Sequence, residues 1–161
     1  MANTPPIVNL DTIETEAYGK GGRFAATLGR IGRHLGARKL GCTLVTLAPG
    51  KAAWPYHLHY GQEEMFVVLE GAGTLRYDGA KHPLRAGDVV FTPPGPGTAH
   101  QIVNGSDAPL RYLALSSMDD PEVCEYPDSG KIGAYAGESG ERALAFLART
   151  GAAVDYWDGE D

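Results

Sequence analysis

From about residue 23 to 116, apolar positions alternate with polar ones in short runs, the period of half-buried strands and not of helices. Leu40-Gly-Cys-Thr-Leu-Val-Thr-Leu47 is β-branched and alternating, and Ala48-Pro-Gly50 ends it. Met65-Phe-Val-Val-Leu69 is a compact apolar run stopped by Gly71-Ala-Gly73. Strands are predicted next at Thr74–Tyr77, Lys81–Leu84 and Val89–Phe91, with Asp78-Gly79 as a hairpin turn and Ala86-Gly87-Asp88 as a second turn. After the rigid Pro93-Pro-Gly-Pro-Gly97 loop, His100–Val103 and Leu110–Leu115 complete the series. Strands this short, each followed by a turn, predict an all-β barrel or sandwich. Gly140–Thr150 alone reads as helical, although so short an apolar run also suits a strand.

Composition agrees with this reading. The 22 glycines and 11 prolines among 161 residues are too many for a helical bundle and too few for a low-complexity chain. The length predicts a single domain over 1–161, with a barrel core at about 25–116, an N-terminal arm at 1–24 and a C-terminal extension at 117–161. A formal net charge of −6 argues against nucleic-acid binding, which needs a basic face. Charge is uneven along the chain: residues 20–39 carry six cations and no acid, whereas residues 119–161 carry eleven acids and three cations. No apolar run approaches a membrane span, and the first residues lack the basic and apolar regions of a secretory signal. Cys42 and Cys124 form no CxxC, so the expectation is a cytoplasmic protein with reduced thiols.

Candidate chemistry lies in three histidines and a carboxylate. His57 and His59 are two apart, so on an extended strand both imidazoles leave the same face and can grip one ion. Of Glu63 and Glu64, alternation allows only one to join them. His100 arrives from a separate strand. Three imidazoles and a carboxylate suit a divalent transition metal (Fe, Mn, Ni, Co, Cu or Zn) and not calcium or a thiolate-based structural zinc site. Four protein ligands leave coordination positions open, as a catalytic metal requires. Other signals are weaker. Ser129-Gly130-Lys131 lacks the remainder of a phosphate loop, Gly71-Ala-Gly73 leads into a strand where a nucleotide fingerprint needs a helix, and no serine has a nucleophile-elbow context.

The residues framing these side chains are ordered. Gly50, six residues, His57-x-His59, four residues, Glu64, six residues, Gly71 form one block. Gly87, five residues, Pro93-x-Gly95, four residues, His100, three residues, Asn104 form a second, fifteen residues further on. Both blocks resemble the two signature motifs of the cupin family, with slightly long spacings from Gly50 to His57 and from Gly95 to His100. The resemblance implies a double-stranded β-helix (jelly-roll-like) barrel with short terminal arms. It also implies a metal held inside by His57, His59, Glu64 and His100, and it selects Glu64 over Glu63. The activity it implies is that of a metal-dependent enzyme on a small polar molecule, of dioxygenase, decarboxylase or isomerase type. The alternative is a small-molecule binding or sensing module with the metal as anchor. Dimers are common in the family, and arms of opposite charge are compatible with a homodimer.

Overall fold

The computed structural model describes residues 5–137 and 142–160. Three sheets close around one apolar interior. The first has six strands in the order β1 (Glu16–Gly21), β2 (Phe24–Gly29), β3 (Leu40–Leu47), β10 (Leu110–Ser117), β5 (Glu64–Glu70), β8 (Val89–Thr92). The second runs β7 (Ala80–Arg85), β6 (Ala72–Tyr77), β9 (His100–Val103). The third runs β13 (Leu144–Arg149), β12 (Lys131–Ala136), β11 (Glu122–Tyr126), β4 (Leu58–His59). A bridge between His57 and His100 stitches the last two sheets together. All the strand pairings are antiparallel. The fold is the double-stranded β-helix, with a single α-helix among the described residues, the short α1 (Ile31–Leu35) between β2 and β3.

Alternation decides which side chains enter the barrel. On β5, Phe66 and Val68 point inward while Met65 faces solvent; on β9, Ile102 shares the inner face with His100. They meet Leu28, Val45, Leu47, Leu75, Leu84, Leu110 and Tyr112 in one contiguous core. The Asp78-Gly79 turn forms as expected, with φ of 44° and 79° and Tyr77 paired to Ala80. Gly71 permits the sheet crossing: its φ is 81°, and a Cβ there would stand 2.3 Å from the Pro109 carbonyl oxygen.

Two parts of the chain differ from expectation. The segment beyond 116, read as an extension, supplies β11–β13 to the third sheet, so β4 is held by residues far beyond the motifs. Within the stretch read as helical, residues 140 and 141 lie outside the described residues, and Leu144–Arg149 is strand β13, paired with β12 from Ala136↔Leu144 to Lys131↔Arg149. The Ala/Leu-rich run favours a helix in isolation, but the free edge of β12 offers it a full ladder of backbone partners, and tertiary pairing overrides propensity.

Candidate metal centre

The four side chains expected at the site come from three places in the chain and converge. Pairing with β11 holds β4, the bridge to His100 fixes His57, and β5 carries Glu64 inward while Glu63 stays exposed. His100 Nε2 lies 2.7 Å from Glu64 Oε2, His59 Nε2 lies 3.3 Å away and His57 Nε2 lies 4.0 Å away. Ring centroids are 5.0 Å apart for His57 and His59 and 4.7 Å apart for His57 and His100. Donor atoms of His57, His59 and Glu64 all fall within 4.8 Å of one another. His100 falls outside that set and meets it through its 2.7 Å contact with Glu64.

Each imidazole turns Nε2 toward the carboxylate because its Nδ1 is engaged elsewhere. His57 Nδ1 is 2.8 Å from the Pro55 carbonyl oxygen, and His100 Nδ1 is 3.1 Å from that of Thr98. His59 Nδ1 faces Glu122 Oε1 and Cys124 Sγ, each at 3.3 Å. Although His59 Nε2 is within ion-pair distance of Glu64, it lies off the hydrogen-bond axis, so this buried nitrogen has no hydrogen-bond partner. An orphaned imidazole nitrogen facing a carboxylate and two further imidazoles fits a divalent transition metal, whose preferred donors these are.

Electrostatics divide the group. Burial opposes the charge on Glu64, but the hydrogen bond from His100 and the nearby His59 ring prevail and hold its carboxyl well below the usual carboxylate range. Burial, reinforced by His100, pushes His57 down to about 4. For His59 burial acts the same way, but the adjoining Cys124 and Glu64 outweigh it and raise the ring to about 10. Without metal, therefore, His59 adds stability that is complete below its ordinary 6.5 and disappears as pH rises through 10. His57 costs stability as pH falls from 6.5 toward 4, and Glu64 adds stability that is lost in acid below its ordinary 4.5. Thermal unfolding of metal-stripped protein is thus expected to show a Tm maximum near pH 6.5. A Tm that stayed flat or rose between pH 6.5 and 10 would contradict this charge arrangement.

The cluster of candidate ligands opens onto a cavity of about 20 Å³, room for roughly one water. Trp54, Phe66, Ile102 and Tyr112 line it together with His57, Glu64, His100, Pro55 and Gln101. Of the aromatic and amide residues close in sequence to the candidate ligands, Trp54 and Gln101 take part. Tyr60 instead points to Glu125, its hydroxyl donating at 3.0 Å, and Tyr56 is buried with Leu58 and Ala99. Tyr126, absent from the expectations, stacks on His57 at 6.2 Å. Burial, with the charge of Glu64, raises the Tyr112 phenol and keeps it protonated. Sequence reasoning also missed Glu122 and Cys124. Their spacing of two puts both on one face of a strand, but the pairing of that strand with β4 leaves no local signal.

The chain belongs to the cupin superfamily: the family model for the cupin domain matches residues 43–116, and cupins share its fold over nearly its whole length. A sugar phosphate isomerase of the superfamily from Silicibacter pomeroyi superposes with a TM-score of 0.79 and 28% identity, covering 95% of this chain and 98% of that one. An oxalate-binding protein of Thermotoga maritima is 36% identical over 69 residues, 43% of this chain and 54% of that protein. Gentisate 1,2 dioxygenase 1 of Aquipseudomonas alcaligenes is 34% identical over 86 residues, 53% of this chain but 23% of the dioxygenase. The matched stretch thus spans about half of the oxalate-binding protein and less of the dioxygenase.

Proposed function

We propose that this cupin is a metal-dependent enzyme acting on a small oxygen-bearing molecule, with His57, His59, Glu64 and His100 as the ligands of one divalent transition metal (Fe, Mn, Ni, Co, Cu or Zn). The observation that carries the reading is the convergence of three Nε2 atoms on Glu64 Oε2 at the end of a small, mostly apolar cavity. When bound, such a metal supplies Lewis acidity toward a carbonyl, carboxylate or enediol oxygen and, if it is iron, dioxygen chemistry.

The chain's own residues account for the rest of the work. Pro55 and Thr98 carbonyls fix two of the ligand rings, and the ionised Glu64 offsets part of the cation's charge. Trp54, Phe66 and Ile102 exclude water, which strengthens every polar contact to the bound molecule. Tyr112, protonated and facing the same space, offers a hydroxyl to a substrate oxygen. The lining contains no lysine or arginine, so a phosphate group, as on a sugar phosphate, would have to lie outside the cavity. The space takes only the oxygen end of a substrate such as an acid or keto compound, and the rest of the molecule lies toward the opening.

The second reading, a binding module, is favoured by one observation. Among the described residues lining the cavity, Tyr112 is the sole ionisable group besides the candidate ligands. The two readings separate in a panel of small hydroxy, keto and dicarboxylic acids and aldoses, assayed for turnover and oxygen uptake with iron-, manganese- and zinc-loaded protein. Turnover that disappears with a chelator supports the enzyme. Tight binding of one compound without turnover on every metal supports the module. We also propose a cytoplasmic homodimer; Leu144, Phe146 and Leu147, exposed on edge strand β13, support the latter.

A further inference from the structure

The three imidazoles differ in what stands behind them. His57 and His100 lean on backbone carbonyls, which carry no net charge. His59 leans on side chains of β11, outside both motif blocks: Glu122 Oε1 and Cys124 Sγ, each 3.3 Å from its Nδ1.

We propose that Glu122 is a positioning residue for the metal, its carboxylate accepting the Nδ1–H of His59 so that Nε2 presents its lone pair to the ion and His59 becomes the strongest donor of the three. This rests on the reading of His57, His59, Glu64 and His100 as metal ligands.

The surroundings of Glu122 are those of a fixed acceptor. Its side chain is 7% exposed, so solvent screens its charge little. The Tyr60 N–H donates to the same Oε1 at 3.1 Å, which ties the carboxylate to the backbone next to His59. Gly61 makes the room: a Cβ there would stand 2.9 Å from Glu122 Oε2. The register supplies the alignment, since Cys124 pairs with His59 and Glu122 reaches the ring from two residues earlier. Sulfur is a weak acceptor and a carboxylate oxygen a strong one, so the Nδ1 proton goes to Glu122. Glu64 stands on one side of the ring and Glu122 on the other, and Glu122 Oε2 is itself buried without a hydrogen-bond partner. A charged acceptor behind a ligating histidine raises its basicity and locks its tautomer, and losing such a partner weakens metal affinity by about 10- to 100-fold.

The test is a zinc and cobalt affinity series on the full chain by competition with a chromophoric chelator. Wild type, Glu122→Gln, Cys124→Ser and Gly61→Ala are compared, and the Tm of each metal-free protein serves as the fold control. Expected is a 10- to 100-fold weaker metal for Glu122→Gln, near-wild-type affinity for Cys124→Ser, and an intermediate loss for Gly61→Ala, in which the carboxylate keeps its charge but is displaced. Should Glu122→Gln fail to fold, Gly61→Ala decides. Wild-type affinity in Glu122→Gln, or in Gly61→Ala when that variant decides, would overturn the assignment and leave Glu122 a structural acceptor. A thiolate-to-cobalt charge-transfer band that disappears in Cys124→Ser would overturn it differently, by showing that His59, Glu122 and Cys124 themselves take a metal. Failure of the wild type to bind either metal would instead overturn the ligand reading beneath it.

Discussion

Asn104→Leu is expected to destabilise the protein by about 3 kcal/mol, roughly 10 °C in Tm, without touching a candidate ligand. Asn104 is wholly buried, and its side chain uses all of its hydrogen-bonding capacity. Its Nδ2 donates to the Leu47 and Ala108 carbonyl oxygens at 2.9 and 2.8 Å; its Oδ1 accepts from the Ser106 N–H at 3.0 Å and the Ser106 hydroxyl at 2.8 Å. The end of β3 and the loop before β10 are thereby tied together through one amide. The backbone adds two more ties, the Gly50 N–H to the Asn104 oxygen and the Asn104 N–H to the Lys51 oxygen. Leucine of similar volume would remove the amide's bonds to the Leu47 carbonyl and the Ser106 N–H and leave the Ala108 carbonyl only the Ser106 hydroxyl, and each orphan costs about 1–3 kcal/mol where water cannot reach it. Thermal unfolding followed by circular dichroism measures the effect. A Tm within 2 °C of wild type would mean that the loop re-pairs without the amide.

How much of this was legible in the sequence depends on the range of the interactions. Strand β3 was readable at both ends, because Leu40–Leu47 alternates and Pro49-Gly50 closes it; the Asp78-Gly79 turn was readable because its backbone demands are local. The framing glycines could be read because their constraint is steric: Gly50, Gly71, Gly87 and Gly95 all have positive φ. The direction of Glu64 rather than Glu63 came through the resemblance, and strand parity agrees. Strand β1 was missed since Glu-Ala-Tyr-Gly-Lys-Gly is exposed on both faces and shows no alternation. Strand β13 was misread as helix because what makes it extended is the edge of β12, a partner that residue-by-residue propensity does not contain. The same holds for Glu122 and Cys124. Their place beside His59 follows from the β4–β11 pairing, across more than 60 residues of chain, and no spacing rule reaches that far.

The second large effect concerns the centre itself. His57→Ala/His59→Ala is expected to abolish stoichiometric metal binding while leaving the barrel folded, since neither ring belongs to the hydrophobic core built from Phe66, Val68, Leu75 and Ile102. Removing two of four donors leaves Glu64 and His100, a pair of the kind scattered over protein surfaces, and the pair closes on itself through its 2.7 Å contact. The removed rings include the one whose Nε2 is buried without a hydrogen-bond partner, while Glu122 loses His59 and keeps the Tyr60 N–H, so a lowered Tm in a folded barrel is expected. Elemental analysis of wild type and variant, each purified without added metal, combined with X-ray absorption at the edge of whatever element is found, is the most direct measurement. About one transition metal per chain in the wild type, bound by three imidazole nitrogens and a carboxylate oxygen and absent from the variant, is the predicted result. Equal metal in both proteins, or a wild-type coordination shell without imidazole, would contradict it.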